Sequence, residues 1–112
     1  MIFDFDAMET QLLPHFKDGE GALAAEMFAD EHNRILRGRL VPGASVGLHT
    51  HTGSSEIIYV LSGEGKVLYD GAEERVRAGL CHYCPEGHTH TLINDSVADL
   101  LFFAVVPQHG AQ

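Results

Sequence analysis

The chain has no tryptophan, two cysteines, four prolines and seven lysines plus arginines among its 112 residues. Each scarcity removes a class of function. Seven basic residues against sixteen acidic ones leave a formal charge of −9 with the histidines neutral. Nucleic-acid binding relies on clustered Lys and Arg that neutralise phosphates, so no nucleic-acid partner is expected. An anionic membrane surface is disfavoured for the same reason. No apolar run approaches the roughly 20 residues of a spanning helix, and no membrane role is expected. The N-terminal stretch MIFDFDAMET is acidic, with no basic region ahead of an apolar one. It does not read as a secretory signal, and the cytoplasm is the expected location.

The cysteines, Cys81 and Cys84, fall in CHYC. A redox pair favours a helix N-terminus that lowers the thiol pKa, whereas this segment runs into Pro85 and reads as extended. In a strand, positions three apart face opposite ways, so a disulfide would strain the backbone. A structural zinc would want two more soft ligands. Two small thiols, buried or half-buried, is the bland alternative.

What remains is an ordinary globular composition, 45% apolar and 21% charged, of a length that suits one domain spanning residues 1–112. Residues 1–20 read as an N-terminal arm or a short edge strand. Residues 22–29 (ALAAEMFA) have a helical composition but admit a strand. Residues 33–41 read as a strand with an irregularity near Gly38. Residues 45–51 read as a strand, and Ile57–Leu61 as one covered on both faces. Residues 66–69 and 73–77 form a hairpin about Asp70-Gly71. Residues 80–84, 88–93 and 99–106 complete the set, and the tail after Pro107 is expected to fray. Short strands separated by turn signals indicate an all-β sandwich or barrel.

Four residues carry the chemistry. His49, His51 and Glu56 lie within LHTHTGSSE, and His90 lies 34 residues beyond Glu56 in PEGHTHTLIN. His49 and His51 are two apart, which places both on one face of a strand. Three imidazoles and a carboxylate suit one divalent transition metal.

The stretch Gly43–Gly63 resembles the first motif of the cupin superfamily: glycine, five residues, His-X-His, three or four residues, Glu, six residues, glycine. Gly79–Asn94 resembles the second: glycine, five residues, Pro-X-Gly, two residues, His, three residues, Asn. Every slot is filled, over residues 43–94. The resemblance implies a single-domain, all-β cupin, a double-stranded β-helix or jelly-roll barrel. It also implies one divalent transition metal inside, held by His49, His51, Glu56 and His90. It favours a strand at 22–29 and a homodimer. Iron or manganese is the metal expected in the cell; zinc, nickel, copper or cobalt also suit the donors.

One fold hosts many functions, so the reaction stays open. A protein acting on or binding a small organic molecule is the leading expectation. If it is an enzyme, a metal-dependent dioxygenase or an isomerase is the expected class; a non-catalytic ligand-binding or sensing module is the alternative. His88 and His82 are the acid/base candidates. By strand parity Ser45 and Gly47 should accompany His49, Ile58 and Val60 should accompany Glu56, and Leu92 should accompany His90. Phe102, Phe103 or both should close the floor. One of Arg34, Arg37 and Arg39 could turn inward to anchor an acid. Asn94 is expected to bond backbone. His15, His32 and His109 are assigned no role.

Overall fold

The computed structural model describes residues 1–110. Ten strands follow in chain order: β1 (Gln11–Pro14), β2 (Ala22–Ala29), β3 (Asn33–Leu40), β4 (Ser45–Thr50), β5 (Glu56–Ser62), β6 (Glu64–Tyr69), β7 (Ala72–Arg77), β8 (Cys81–Cys84), β9 (Thr89–Ile93) and β10 (Leu100–Pro107). Two one-turn 3-10 helices, Phe5–Ala7 and Phe16–Asp18, precede β2. No helix among the described residues is long and apolar enough to cross a membrane.

The strands form a six-stranded sheet, ordered β1-β2-β3-β10-β5-β8, and a four-stranded sheet, ordered β4-β9-β6-β7. Every ladder between these strands is antiparallel, and β1–β2, β2–β3 and β6–β7 join neighbours in sequence while the other five join strands far apart in the chain. The sheets enclose a core built from alternate residues of each strand. Leu36 and Leu40 come from β3, Ile58 and Val60 from β5, Val67 from β6, Leu92 from β9, and Leu100, Phe102 and Ala104 from β10. The strand and turn pattern implied an all-β sandwich or barrel, and the structure is the jelly roll that the cupin resemblance implied. The segment 22–29 is a strand, so packing overrides its helical composition.

Two local readings change. Around Gly38 the register of β3 is continuous with both β2 and β10. The glycine is there for space: a methyl group at Gly38 would overlap the Phe102 ring. β5 is covered on one face only. Ile58 and Val60 are buried, while Ile57, Tyr59 and Leu61 are 39%, 45% and 45% exposed, so its continuous apolar run leaves an oily outer face. The arm does include an edge strand: β1 pairs with β2, and Phe3 packs on Phe28.

Turns bring the motifs together. Gly63 has φ +84°, and a side chain there would overlap the Asp99 carbonyl oxygen, so only glycine serves. Asn94 is fully buried. Its amide donates to the carbonyls of Leu40 (2.7 Å) and Ala98 (2.8 Å), and its side-chain oxygen accepts from Ser96 N–H (2.9 Å). One side chain thus ties β3, β9 and the turn into β10.

Candidate metal centre

His49 lies in β4 and His90 in β9, and the two are cross-strand partners. Glu56 opens β5 in the opposite sheet. His51 lies one residue past the end of β4, where the Pro85–His88 turn holds its backbone from both sides. The His51 N–H donates to the His88 carbonyl (3.1 Å), and the His51 carbonyl accepts from Gly87 N–H (2.7 Å). The Pro-X-Gly segment therefore does more than lead into β9: it fixes a candidate ligand just past the neighbouring strand.

The four side chains converge, with one potential donor atom from each lying within 4.8 Å of the others. Nε2 of His90 is 3.0 Å from Nε2 of His51 and 3.2 Å from Nε2 of His49. Oε1 of Glu56 is 3.0 Å from Nε2 of both His51 and His90, and 3.7 Å from Nε2 of His49. A first-row cation bound at about 2.1 Å by ligands at right angles would give edges of about 3.0 Å. The donor set fits such an ion, and it places imidazole lone pairs face to face, an arrangement that a cation relieves.

The far side of each ring supports this orientation. Nδ1 of His49 is 2.7 Å from the Gly47 carbonyl, which can only accept, so that nitrogen carries the proton and Nε2 is left free. Nδ1 of His51 is 2.9 Å from the Ser54 hydroxyl. Nδ1 of His90 is 3.0 Å from Nε2 of His82. Ligand histidines are oriented by such partners. Burial alone would raise the Glu56 pKa, but the three surrounding imidazoles outweigh it and hold the carboxyl well below its ordinary range.

His49, His51 and Glu56 of this group line a cavity of about 290 Å³. Leu23, Leu36, Val46 and Phe102 line it, as do Lys17, Arg34 and Gln108. The parity expectation holds for β5 and β9, where Ile58, Val60 and Leu92 are buried. It fails on β4. The register with β9 shifts between Val46 and His49, so Val46, not Ser45 or Gly47, shares the interior with His49. The Thr91 hydroxyl donates to the Val46 carbonyl at this irregularity. Of the two phenylalanines, Phe102 lines the cavity; Phe103 packs edge-on against Phe5 on the outer face.

Arg34 is the arginine that turns inward. Arg37 pairs with Glu26 (2.8 Å) and Asp6 (2.7 Å), and Arg39 lies 3.9 Å from Asp99. Among the described residues no carboxylate pairs with Arg34 or Lys17. Lys17 was not legible in the sequence. It sits in a short segment where His15, Lys17 and Asp18 all have positive φ, a backbone that costs non-glycine residues energy and persists only when packing enforces it. Here the packing is Gly19 and Gly47: side chains at either would overlap backbone across the contact with β4. The Ser45 N–H also donates to the Glu20 carbonyl (2.9 Å).

The acid/base candidates stand elsewhere. His82, 6% exposed, lies behind His90, with Nδ1 3.6 Å from Oε1 of Glu74. Burial, and then the neighbouring His90, keep its pKa below the ordinary histidine value. His88 stacks on Tyr69 and lies 2.6 Å from Asp70 Oδ2. Neither is among the residues lining the cavity. The tail is pinned as far as His109: His109 N–H donates to the Gly53 carbonyl (2.8 Å), and its Nε2 is 3.0 Å from the Ser55 hydroxyl. The expected fraying therefore does not begin at Pro107. Cys81 is exposed and Cys84 is buried, both free.

Residues 36–106 match the cupin domain family. The chain is 32% identical to the oxalate-binding protein of Thermotoga maritima, over 95% of this chain and 93% of that protein. It superposes on the crystal structure of a predicted oxalate decarboxylase from Thermotoga maritima with a TM-score of 0.90. That match has 29% identity and covers 96% of this chain and 99% of the other. A Cupin 2 conserved barrel domain protein from Salinispora arenicola shares the fold, with a TM-score of 0.76, 23% identity, and coverage of 96% and 88%. With both motifs filled, their residues gathered inside a jelly roll and the family match spanning both, the chain belongs to the cupin family.

Proposed function

We propose that this protein holds one divalent transition metal per chain through His49, His51, Glu56 and His90, and binds a small organic acid of the oxalate class on that metal. The observation that carries the reading is the convergence of the four donors beside a cavity lined by three of them, His49, His51 and Glu56, and by Arg34 and Lys17, two cations without carboxylate partners among the described residues. The name of the Thermotoga maritima relative supports the same ligand class. Iron or manganese is the metal proposed for the cell, and zinc, nickel, copper or cobalt share the donor preference.

Bound metal supplies Lewis-acid charge for carboxylate oxygens. The chain supplies the rest. Glu56 offsets part of the cation's charge. The Arg34 guanidinium presents planar paired donors that match a carboxylate. Lys17 adds a point charge, and Leu23, Leu36, Val46 and Phe102 exclude water. At about 290 Å³ the cavity is just below the usual range for drug-sized ligands, which suits an acid of a few heavy atoms.

Binding without turnover is favoured by the position of His82 and His88 outside the cavity lining. Turnover, of the oxygenase or isomerase class, would require them to move a proton by relay. The exposed outer face of Ile57, Tyr59, Leu61 and Tyr83 supports a homodimer, for which light scattering should give twice 12.2 kDa.

The test is elemental analysis of tag-free protein, followed by calorimetry with oxalate. Near one metal per chain, with oxalate binding that weakens about tenfold or more in Arg34→Leu while the metal stays, is the expected result. Protein that takes up no metal on anaerobic reconstitution would overturn the reading.

A further inference from the structure

The three histidines of the metal group differ in what stands behind them. His49 backs onto a carbonyl, which fixes its proton on Nδ1. His51 backs onto a hydroxyl. His90, 1% exposed, backs onto another histidine, with 3.0 Å between its Nδ1 and Nε2 of His82. An imidazole pair of this kind shares a single proton, and its polarity decides what His90 can do. With the proton on His90 Nδ1, His90 donates to His82 and its Nε2 lone pair faces the other donors. With the proton on His82 Nε2, His90 accepts, and its own proton moves to Nε2, where it blocks ligation.

The fold supplies a means of choosing. His82 projects inward from β8, opposite Ile58 of β5, and spans the space between the two sheets. Its Nδ1 lies 3.6 Å from the Glu74 carboxylate on β7. A proton on that nitrogen is attracted to the carboxylate, which leaves Nε2 of His82 bare to accept from His90. The Tyr69 ring, edge-on at 5.6 Å, packs against the His82 ring. Glu74 and His82 also line a groove on the outside of the molecule, with Cys81 and Tyr83. The chain Glu74–His82–His90 therefore links the outer surface to the ligand group from behind.

We propose that His82 is a positioning residue of the metal centre: it holds His90 in the Nε2-ligating tautomer, and Glu74 holds His82 in turn. The proposal rests on the metal-binding reading for its consequence, while its hydrogen-bond polarity can be read without metal. His82→Leu removes the acceptor and keeps bulk. His82→Gln keeps an acceptor at similar reach. Glu74→Gln removes the charge alone.

Two readouts test it. In metal-free protein, long-range 1H–15N NMR should place the protons of both His82 and His90 on Nδ1. The reverse polarity in the wild type would overturn the proposal, whatever the metal experiments give. In cobalt(II) titrations, His82→Leu should weaken binding about 10- to 100-fold and change the visible spectrum of the bound ion. His82→Gln should restore most of both, and Glu74→Gln should weaken binding less than His82→Leu. Unchanged affinity and spectrum in His82→Leu would sink the proposal, as would His82→Gln behaving like His82→Leu. A wild type that binds no cobalt would instead sink the metal-binding reading, leaving the NMR result to decide the polarity.

Discussion

Two His-X-His pairs face each other across β4 and β9, and they do different things. His49 pairs with His90 in register, Thr50 with Thr89, and the His51 N–H donates to the His88 carbonyl. Each pair has one histidine in its strand and one just beyond: His51 follows β4, and His88 precedes β9. His51 turns in to the metal group; His88 turns out to Tyr69 and Asp70. Spacing by two makes convergence possible, but the turns decide it. His51 is held by two backbone hydrogen bonds and by Ser54, whereas His88 belongs to the turn that does the holding.

The comparison can be broken most strongly at His51. His51→Ala should reduce metal from near one per chain to near none, read by elemental analysis. Its metal-free form should melt close to the metal-free wild type, because His51 lies beyond β4.

Gly47→Ala comes next, since it attacks the backbone that anchors His49. The added methyl would overlap the Lys17 carbonyl, pushing away the Phe16–Gly19 segment. Overpacking of this kind costs about 1–3 kcal/mol, measurable by urea unfolding. Loss of the Lys17 position should also weaken acid binding.

A smaller and graded effect comes from pH. Glu56 has its pKa lowered by folding, so its contribution to stability is present above its unfolded value of 4.5 and is lost only as pH falls through the lower folded value. Protons also compete with a bound cation for the donor nitrogens. Metal should leave at about pH 5–6, while circular dichroism still reports a folded chain. Metal loss coincident with unfolding below pH 4.5 would assign control to Glu56 instead.

The smallest effect is expected at His88. His88→Ala should leave metal content unchanged and stability within about 0.5 kcal/mol. Metal loss in that variant would remove the distinction between the two pairs.

Three of the candidate ligands were legible because His49, His51 and Glu56 lie within eight residues at a spacing that suits strands, whereas His90, 34 residues beyond Glu56, was legible through the second motif. The inward faces of β5 and β9 followed from alternation. The same rule failed on β4, where an irregular register moves Val46 inside, and sequence carries no mark of that shift. On β5 an unbroken apolar run suggested two covered faces, because composition cannot say whether the second face meets core or surface. Lys17 lay hidden in a stretch without periodicity, placed by the close approach of Gly19 to β4. His82 could be singled out, but its contact with His90 depends on how two sheets are stacked, and alternation within one strand cannot encode that.

The division between Cys81 and Cys84 gives the experimenter a labelling handle. Cys84 is fully buried, and burial, followed by the charge of Glu56, pushes its pKa up to about 11. Cys81 is exposed beside His82, in the groove that also holds Glu74. A maleimide dye at neutral pH should therefore modify one thiol in the folded protein and two after denaturation. The native sequence thus provides a single-site fluorescent reporter, attached at the rear of the candidate metal centre and needing no engineered cysteine.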